Sequence, residues 1–178
     1  MRIGIVAAEV SGDLLAAGLM RELRKRLPAV RFEGIGGPKM QAAGCHCFYP
    51  MEALTLIGFG DVGKYFSILS IRRKLARHFL SSPPDLFIGV DAPDFNLSLE
   101  EQLKRVGITT VHYVSPTVWA WRAWRINQIR RSVDHMLALF PFEELYYRRQ
   151  RVPVTCVGHP LADLIPLRYR QSDFRRRL

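Results

Sequence analysis

Long apolar runs are missing from this sequence. None reaches the roughly 20 residues that a bilayer-spanning helix needs. The N-terminus passes from Met1-Arg2 straight into Ile3-Gly4-Ile5-Val6-Ala7-Ala8 and acidic Glu9, without the cleavage pattern of a secretory leader. Both absences lead us to expect a cytoplasmic protein. Cysteine is scarce: Cys45, Cys47 and Cys156 are too few for a disulfide framework. Cys45-His46-Cys47 packs its candidate ligands too closely for the usual chelate loop, and no second cluster completes a tetrahedron, so no metal is expected. Acidic residues are also outnumbered, 16 against 26 Lys and Arg, for a net charge of +10. Such an excess attracts anionic lipid, phosphorylated substrates or nucleic acid. No nucleic-acid module is recognisable, which sets that partner aside.

What is present suits one domain. Hydrophobic residues make up 48% of the 178, enough for a real core. Short apolar runs at 2–8, 30–35, 85–90, 108–114, 135–140 and 153–157 read as strands. Between them, Leu15, Leu19, Leu23 and Leu27 recur every four residues in a helix that Ser11 caps and Pro28 stops. Further helices are expected at 67–80, after a Ser98/Glu101 capping box, at 123–132 and at 142–150, with Gly107 ending the second of these. Pro93 is read as a barrier between the 85–90 strand and any helix. Apolar strands alternating with helices indicate a doubly wound, Rossmann-like α/β domain with a parallel sheet. We place it at 1–167, followed by a basic tail at 168–178.

In such sheets ligands gather beyond the carboxyl ends of the strands. The residues that follow each strand are therefore the candidates: Glu9, Ser11, Gly12 and Asp13; Asp91, Asp94 and Asn96; Ser115 with the Trp119-Ala120-Trp121-Arg122 run; and His159. The first turn lacks the glycine pattern of a dinucleotide site, and its two acids suit sugar hydroxyls better than phosphate. A cap and a helix-dipole acid account for Ser11 and Asp13 equally well, but not for Glu9. Asp91, at a strand end, can serve as general base toward an attacking hydroxyl, or merely cap a turn. Trp119, Trp121 and Trp124, with Arg122 and Arg125, offer ring faces and guanidinium forks for sugar, acyl chain or phosphate, or else pack against an interface. His159 more often serves as a structural hydrogen-bonder. Leu56, Ile57, Phe59, Tyr65, Phe66 and Leu69, followed by Arg72 and Arg73, form an apolar wedge flanked by cations. Such a wedge can meet a membrane surface, or be ordinary core beside a solvated face.

Five segments appear in a telling order: Ala8-Glu9-Val10-Ser11-Gly12-Asp13, Gly36-Gly37-Pro38-Lys39-Met40, Gly89-Val90-Asp91-Ala92-Pro93-Asp94-Phe95-Asn96, His112 through Arg122, and Phe140-Pro141-Phe142-Glu143. Together they resemble the lipid-A-disaccharide synthase family, glycosyltransferase family 19, over about residues 2–167. Ala8 departs from the glycine usual there, and Gln171 to Leu178 is expected to lie outside the family pattern.

The resemblance implies the N-terminal half of a GT-B enzyme that inverts the anomeric centre without metal or other cofactor. It implies transfer of 2,3-diacylglucosamine from its UDP donor to 2,3-diacylglucosamine 1-phosphate, giving the β-1,6-linked lipid A disaccharide 1-phosphate and UDP. Asp91 would be the general base, and residues 54–74 would meet the inner membrane from the cytoplasmic side. Implied partners are the two lipid sugars, the membrane surface, a C-terminal nucleotide-sugar domain and, in the full-length enzyme, a second copy. On that expectation this half holds acceptor and membrane but does not complete transfer alone. Two rivals stand beside it: a non-catalytic, membrane-peripheral binding module, and another sugar-nucleotide enzyme such as an epimerase.

Overall fold

The computed structural model describes residues 1–54, 62–118 and 123–165. Seven strands, β1 (Arg2–Ala7), β2 (Arg31–Gly36), β3 (Cys45–Pro50), β4 (Leu86–Val90), β5 (Thr110–Tyr113), β6 (His135–Ala138) and β7 (Val154–Cys156), form one sheet in the order 3-2-1-4-5-6-7. Every neighbouring pair is parallel. The helices are α1 (Val10–Arg26), α2 (Pro38–Ala42), α3 (Val62–Ser81), α4 (Pro93–Arg105), α5 (Ile126–Ser132), α6 (Pro141–Arg149) and α7 (Leu161–Leu164). The order of the strands reverses between β1 and β4, and there the crevice for a ligand opens.

The side-chain alternation of β1 explains why its run is apolar throughout. Ile3, Ile5 and Ala7 pack with Leu15, Ala16 and Met20 of α1 on one face. Val6 and Ala8 point the other way, into a layer built from Leu75 and Phe79 of α3 and Leu99 and Leu103 of α4. A strand covered on both sides has no polar face to display. A third cluster, including Ile129, Met136, Tyr147 and Val154, fills the space beneath the far edge. Burying each such side chain stabilises the fold by roughly 1.5–3 kcal/mol. Gly89 of β4 is held to glycine by proximity: a Cβ there would lie 2.1 Å from Glu100 Oε1. That carboxylate belongs to a fully buried pair, 2.7 Å from His112 Nδ1 of β5.

The expected doubly wound sheet is present, with four local corrections. Strand β3 was hidden by its cysteines and histidine. Cys45 and Cys47 pack against the α1 layer, whereas His46 turns its ring toward Phe48, 5.1 Å between centroids, so the three do not converge. Helix α1 begins at Val10 with Glu9 as its N-cap, and no side chain caps it; Ser11 lies inside the first turn. Pro93 is no barrier, because it opens α4 from a position where a helix needs no N–H. Ser98 and Glu101 consequently sit within α4 rather than at its start. Gly107 does close that helix region, at φ +87°.

Candidate active site

The hydrogen-bond ladder of β4 runs on to Asp91, whose N–H donates to Tyr113 O at 2.8 Å. Then the chain turns sharply. Asp91 and Ala92 both adopt left-handed backbone conformations, φ +52° and +44°. Consecutive non-glycine residues in that region cost of order 1–3 kcal/mol each and persist only where neighbours impose them. Asn96 is one such neighbour. Its buried amide donates to Asp91 O at 2.8 Å, and makes longer contacts, 3.4 Å each, to Val6 O and Val90 O. The N–H groups of Phe95 and Asn96 both reach Ala92 O at 3.0 Å. Helix α4 thus starts from a turn pinned to the ends of β1 and β4, and the turn presents Asp91 at the sheet's rim.

A cavity of about 1000 Å³ opens in front of it. Glu9 and Ser11 from the first turn, Asp91 and Asp94 from the second, Tyr65, Leu69 and Arg72 from α3, Arg125 at the start of α5 and Gln128 within it all line it. Glu9 stands at the N-cap of α1 without capping it, so its exposed carboxylate is left to the cavity. No described residue donates a hydrogen bond to the Asp91 carboxylate. Asp94 is largely exposed and pairs with Arg125, whose side chain is only 9% exposed. Arg72 donates from Nη1 to Asp94 O at 3.3 Å. Burial, the main cause, holds the Arg72 guanidinium below its usual pKa range; neighbouring Arg73 adds to this and Tyr65 opposes it.

Several expected site residues do other work. Asp13 is buried, and its carboxylate accepts from the N–H groups of Gly37, Lys39 and Met40 at 2.9, 3.0 and 2.9 Å. It caps α2 and has no access to the cavity. Gly12 is buried where α1 packs on the sheet, against Ala7 and Val90, and a Cβ there would come no closer than 3.4 Å. Asn96 holds backbone rather than ligand. Ser115 is buried at the end of β5, outside the cavity. Just beyond it, Tyr147 donates its hydroxyl proton to Pro116 O at 2.7 Å. His159 accepts from the Leu161 N–H at 3.1 Å and closes a local turn. Trp119, Trp121 and Arg122, and Leu56, Ile57 and Phe59, lie outside the described residues.

The expected apolar wedge divides. Tyr65, Ile68, Leu69 and Arg72 follow helical spacing i, i+3, i+4, i+7 and face the cavity. Phe66, 64% exposed, and Arg73, also exposed, point elsewhere. Gln128 was absent from the expected site, whereas Arg125 was among the guanidinium forks expected to meet sugar, acyl chain or phosphate, and it lines the cavity. Their i, i+3 spacing is the signal that puts them on one face.

Comparison with known proteins decides the family. The model of the family described as lipid-A-disaccharide synthetase matches residues 3–178. This chain belongs to that family. The match runs past residue 167 to the end, so Gln171 to Leu178 falls within the family's span and not outside it, contrary to the expectation. Lipid-A-disaccharide synthase of Aeromonas hydrophila is 55% identical over 179 residues, covering 100% of this chain and 47% of that protein. The namesake from Alkalilimnicola ehrlichii is 55% identical over 168 residues, covering 94% and 44%. The chain therefore spans about half the length of the curated relatives it matches.

Among solved structures, UDP-GlcNAc 2-epimerase from Neisseria meningitidis superposes with a TM-score of 0.63 at 11% identity, over 92% of this chain and 47% of that one. MurG of Acinetobacter baumannii gives 0.54 at 13%, over 97% and 47%. At such identities these show a shared fold, the Rossmann-like half of GT-B glycosyltransferases and of an epimerase alike. The sequence relatives, not the fold, distinguish this family from that of the epimerase.

Proposed function

We propose that this chain supplies the acceptor-binding half and the general base of an inverting glycosyltransferase of lipid A synthesis. The acceptor is 2,3-diacylglucosamine 1-phosphate and the donor is UDP-2,3-diacylglucosamine. The observation that carries the reading is the strained turn at Asp91, which lines the same cavity as Glu9. The Asp91 carboxylate takes the proton from the acceptor's 6-hydroxyl as that oxygen attacks the donor's anomeric carbon. The bond from that carbon to the phosphate oxygen breaks on the opposite face, UDP leaves with the electron pair, and the new linkage is β. Glu9 and Ser11 are placed to hold sugar hydroxyls. The nucleotide belongs to the part of the family protein beyond this chain.

Replacing the base tests this directly. In the full-length protein, Asp91→Asn should cut turnover by about a hundredfold to ten-thousandfold while acceptor affinity stays near normal. A folded variant with near-normal turnover would remove Asp91 from the role.

The cavity's apolar wall supports a peripheral membrane position for the same half, at the cytoplasmic face. Tyr65 and Leu69 can receive acyl chains while Phe66 and Arg73 meet the interface and its anionic headgroups. No helix among the described residues is long and apolar enough to cross a membrane. Flotation with anionic vesicles should carry the protein upward, and failure to float would count against the patch.

A further inference from the structure

The cavity holds two guanidinium groups that base catalysis does not use. We propose that Arg72 and Arg125 form a clamp for a phosphate monoester, and that it fixes the 1-phosphate end of the acceptor while Asp91 addresses its hydroxyl end. This rests on the acceptor reading above and extends it to the residues that select a phosphorylated sugar.

Four observations meet here. Both side chains line the same cavity as Asp91. Both reach Asp94, Arg72 through the backbone oxygen at 3.3 Å and Arg125 through the carboxylate. Arg125 is nine-tenths buried, and its Nε has no hydrogen-bond partner among the described residues. A buried guanidinium N–H without an acceptor is costly, and a planar fork is shaped for two phosphate oxygens. Finally, the Arg72 guanidinium is already partly stripped of water, so an incoming dianion has less solvent to displace.

Asp94 then reads as a stand-in. Its carboxylate is 76% exposed and can swing into solvent when a doubly charged phosphate arrives at Arg125. Because Asp94 lies in the first turn of α4, three residues after Asp91, one helix start fixes the distance between base and clamp. A sugar bridging the two would be oriented with its hydroxyl toward the base and its phosphate away from it.

Calorimetric titration of the full-length protein in uncharged detergent micelles tests the clamp, with 2,3-diacylglucosamine 1-phosphate and unphosphorylated 2,3-diacylglucosamine as probes. The wild type should prefer the phosphorylated sugar. Arg125→Ala and Arg72→Ala should each weaken it on the order of tenfold to a hundredfold and leave the unphosphorylated sugar within about twofold. Arg125→Lys, which keeps charge but not the fork, should recover only part. Should Arg125→Ala not fold, Arg72→Ala and Arg125→Lys carry the comparison.

An unchanged preference in folded variants overturns the clamp, as does a wild type that binds both sugars equally. In either case the acceptor reading survives. A wild type that binds neither sugar sinks the acceptor reading as well. Phosphatidylglycerol vesicles without acceptor distinguish the other phosphate source. If the alanine variants lose vesicle binding as strongly as sugar-phosphate binding, the pair reads bilayer headgroups and the assignment to the acceptor falls.

Discussion

Asp13 and Asp91 are the same residue type on the same rim of the same sheet, and they end in opposite conditions. Asp13 sits in the first turn of α1, sealed from solvent, with three backbone N–H groups donating to its carboxylate. Asp91 sits one strand over, in the lining of a cavity, and no described residue donates to its carboxylate. One is consumed by the fold, and the other is the carboxylate proposed above as the base. The sequence places both acids correctly at strand ends, but the number of donors around each is a property of the packed molecule. The difference teaches that position on the rim nominates a carboxylate and satisfaction of its lone pairs decides its role.

Removing the satisfied acid should be the most damaging change to the fold. Asp13→Ala leaves three N–H groups at the start of α2 without their acceptor, two of them in buried bonds, and should destabilise the protein by about 3–5 kcal/mol. Chemical denaturation read by circular dichroism checks this. Asp91→Asn in the same assay should be nearly silent, within about 0.5 kcal/mol, since no described residue donates to its carboxylate. Equal losses from the two substitutions would erase the contrast.

Most of the sheet is legible in the sequence because parallel strands covered on both faces leave uninterrupted apolar runs, as β1 and β4 do. Strand β3 is not, since Cys-His-Cys-Phe-Tyr-Pro lies at an edge and carries no such run. The start of α4 is misread for a physical reason: proline forbids a helix interior but favours its first position, and only the backbone conformation at Ala92 tells which applies. In the candidate site, Asp91, Glu9, Ser11 and Asp94 follow from the strand ends alone. Asp13, Asn96 and Gly12 are drawn into the list by the same rule, yet Asp13 caps α2, Gly12 packs α1 on the sheet and Asn96 holds the backbone of the turn. Gln128 is missed, and Arg125 is read only as one of two cations beside the tryptophans, because their place in the cavity depends on α5 crossing toward α4, a contact between segments distant in the chain.

The strain at the Asp91 turn offers a second way to sharpen the contrast. Ala92→Gly removes the Cβ penalty at φ +44°, while glycine's greater freedom in the unfolded chain works the other way. The balance should favour the variant by up to about 1 kcal/mol, visible as a raised Tm. If Asp91 is the base proposed above, turnover of the full-length protein should fall, because a looser turn no longer fixes its carboxylate. A variant that is less stable than the parent would show that the turn stores no strain.

A third aspartate lies between the two extremes and gives the smallest effect. Asp134, just before β6, is partly exposed. It accepts from the Thr110 N–H at 2.9 Å and the Thr110 hydroxyl at 3.2 Å, and pairs with Lys104 at 3.1 Å. Burial pushes its pKa up, but the Thr110 hydrogen bonds and Lys104 outweigh that, and the net shift is downward. A carboxyl depressed in the folded state stabilises the protein above its unfolded pKa, about 4, and loses that contribution as pH falls through the lower folded value. With both partners open to solvent, the gain at neutral pH should stay below about 1 kcal/mol. Asp134→Asn should therefore cost a little stability at pH 7, and progressively less as the pH is lowered below about 4. Urea midpoints of parent and variant across that range give the measurement. A gap that stays constant into acid would mean that the Asp134 charge contributes nothing, and that hydrogen-bond acceptance alone ranks these three carboxylates.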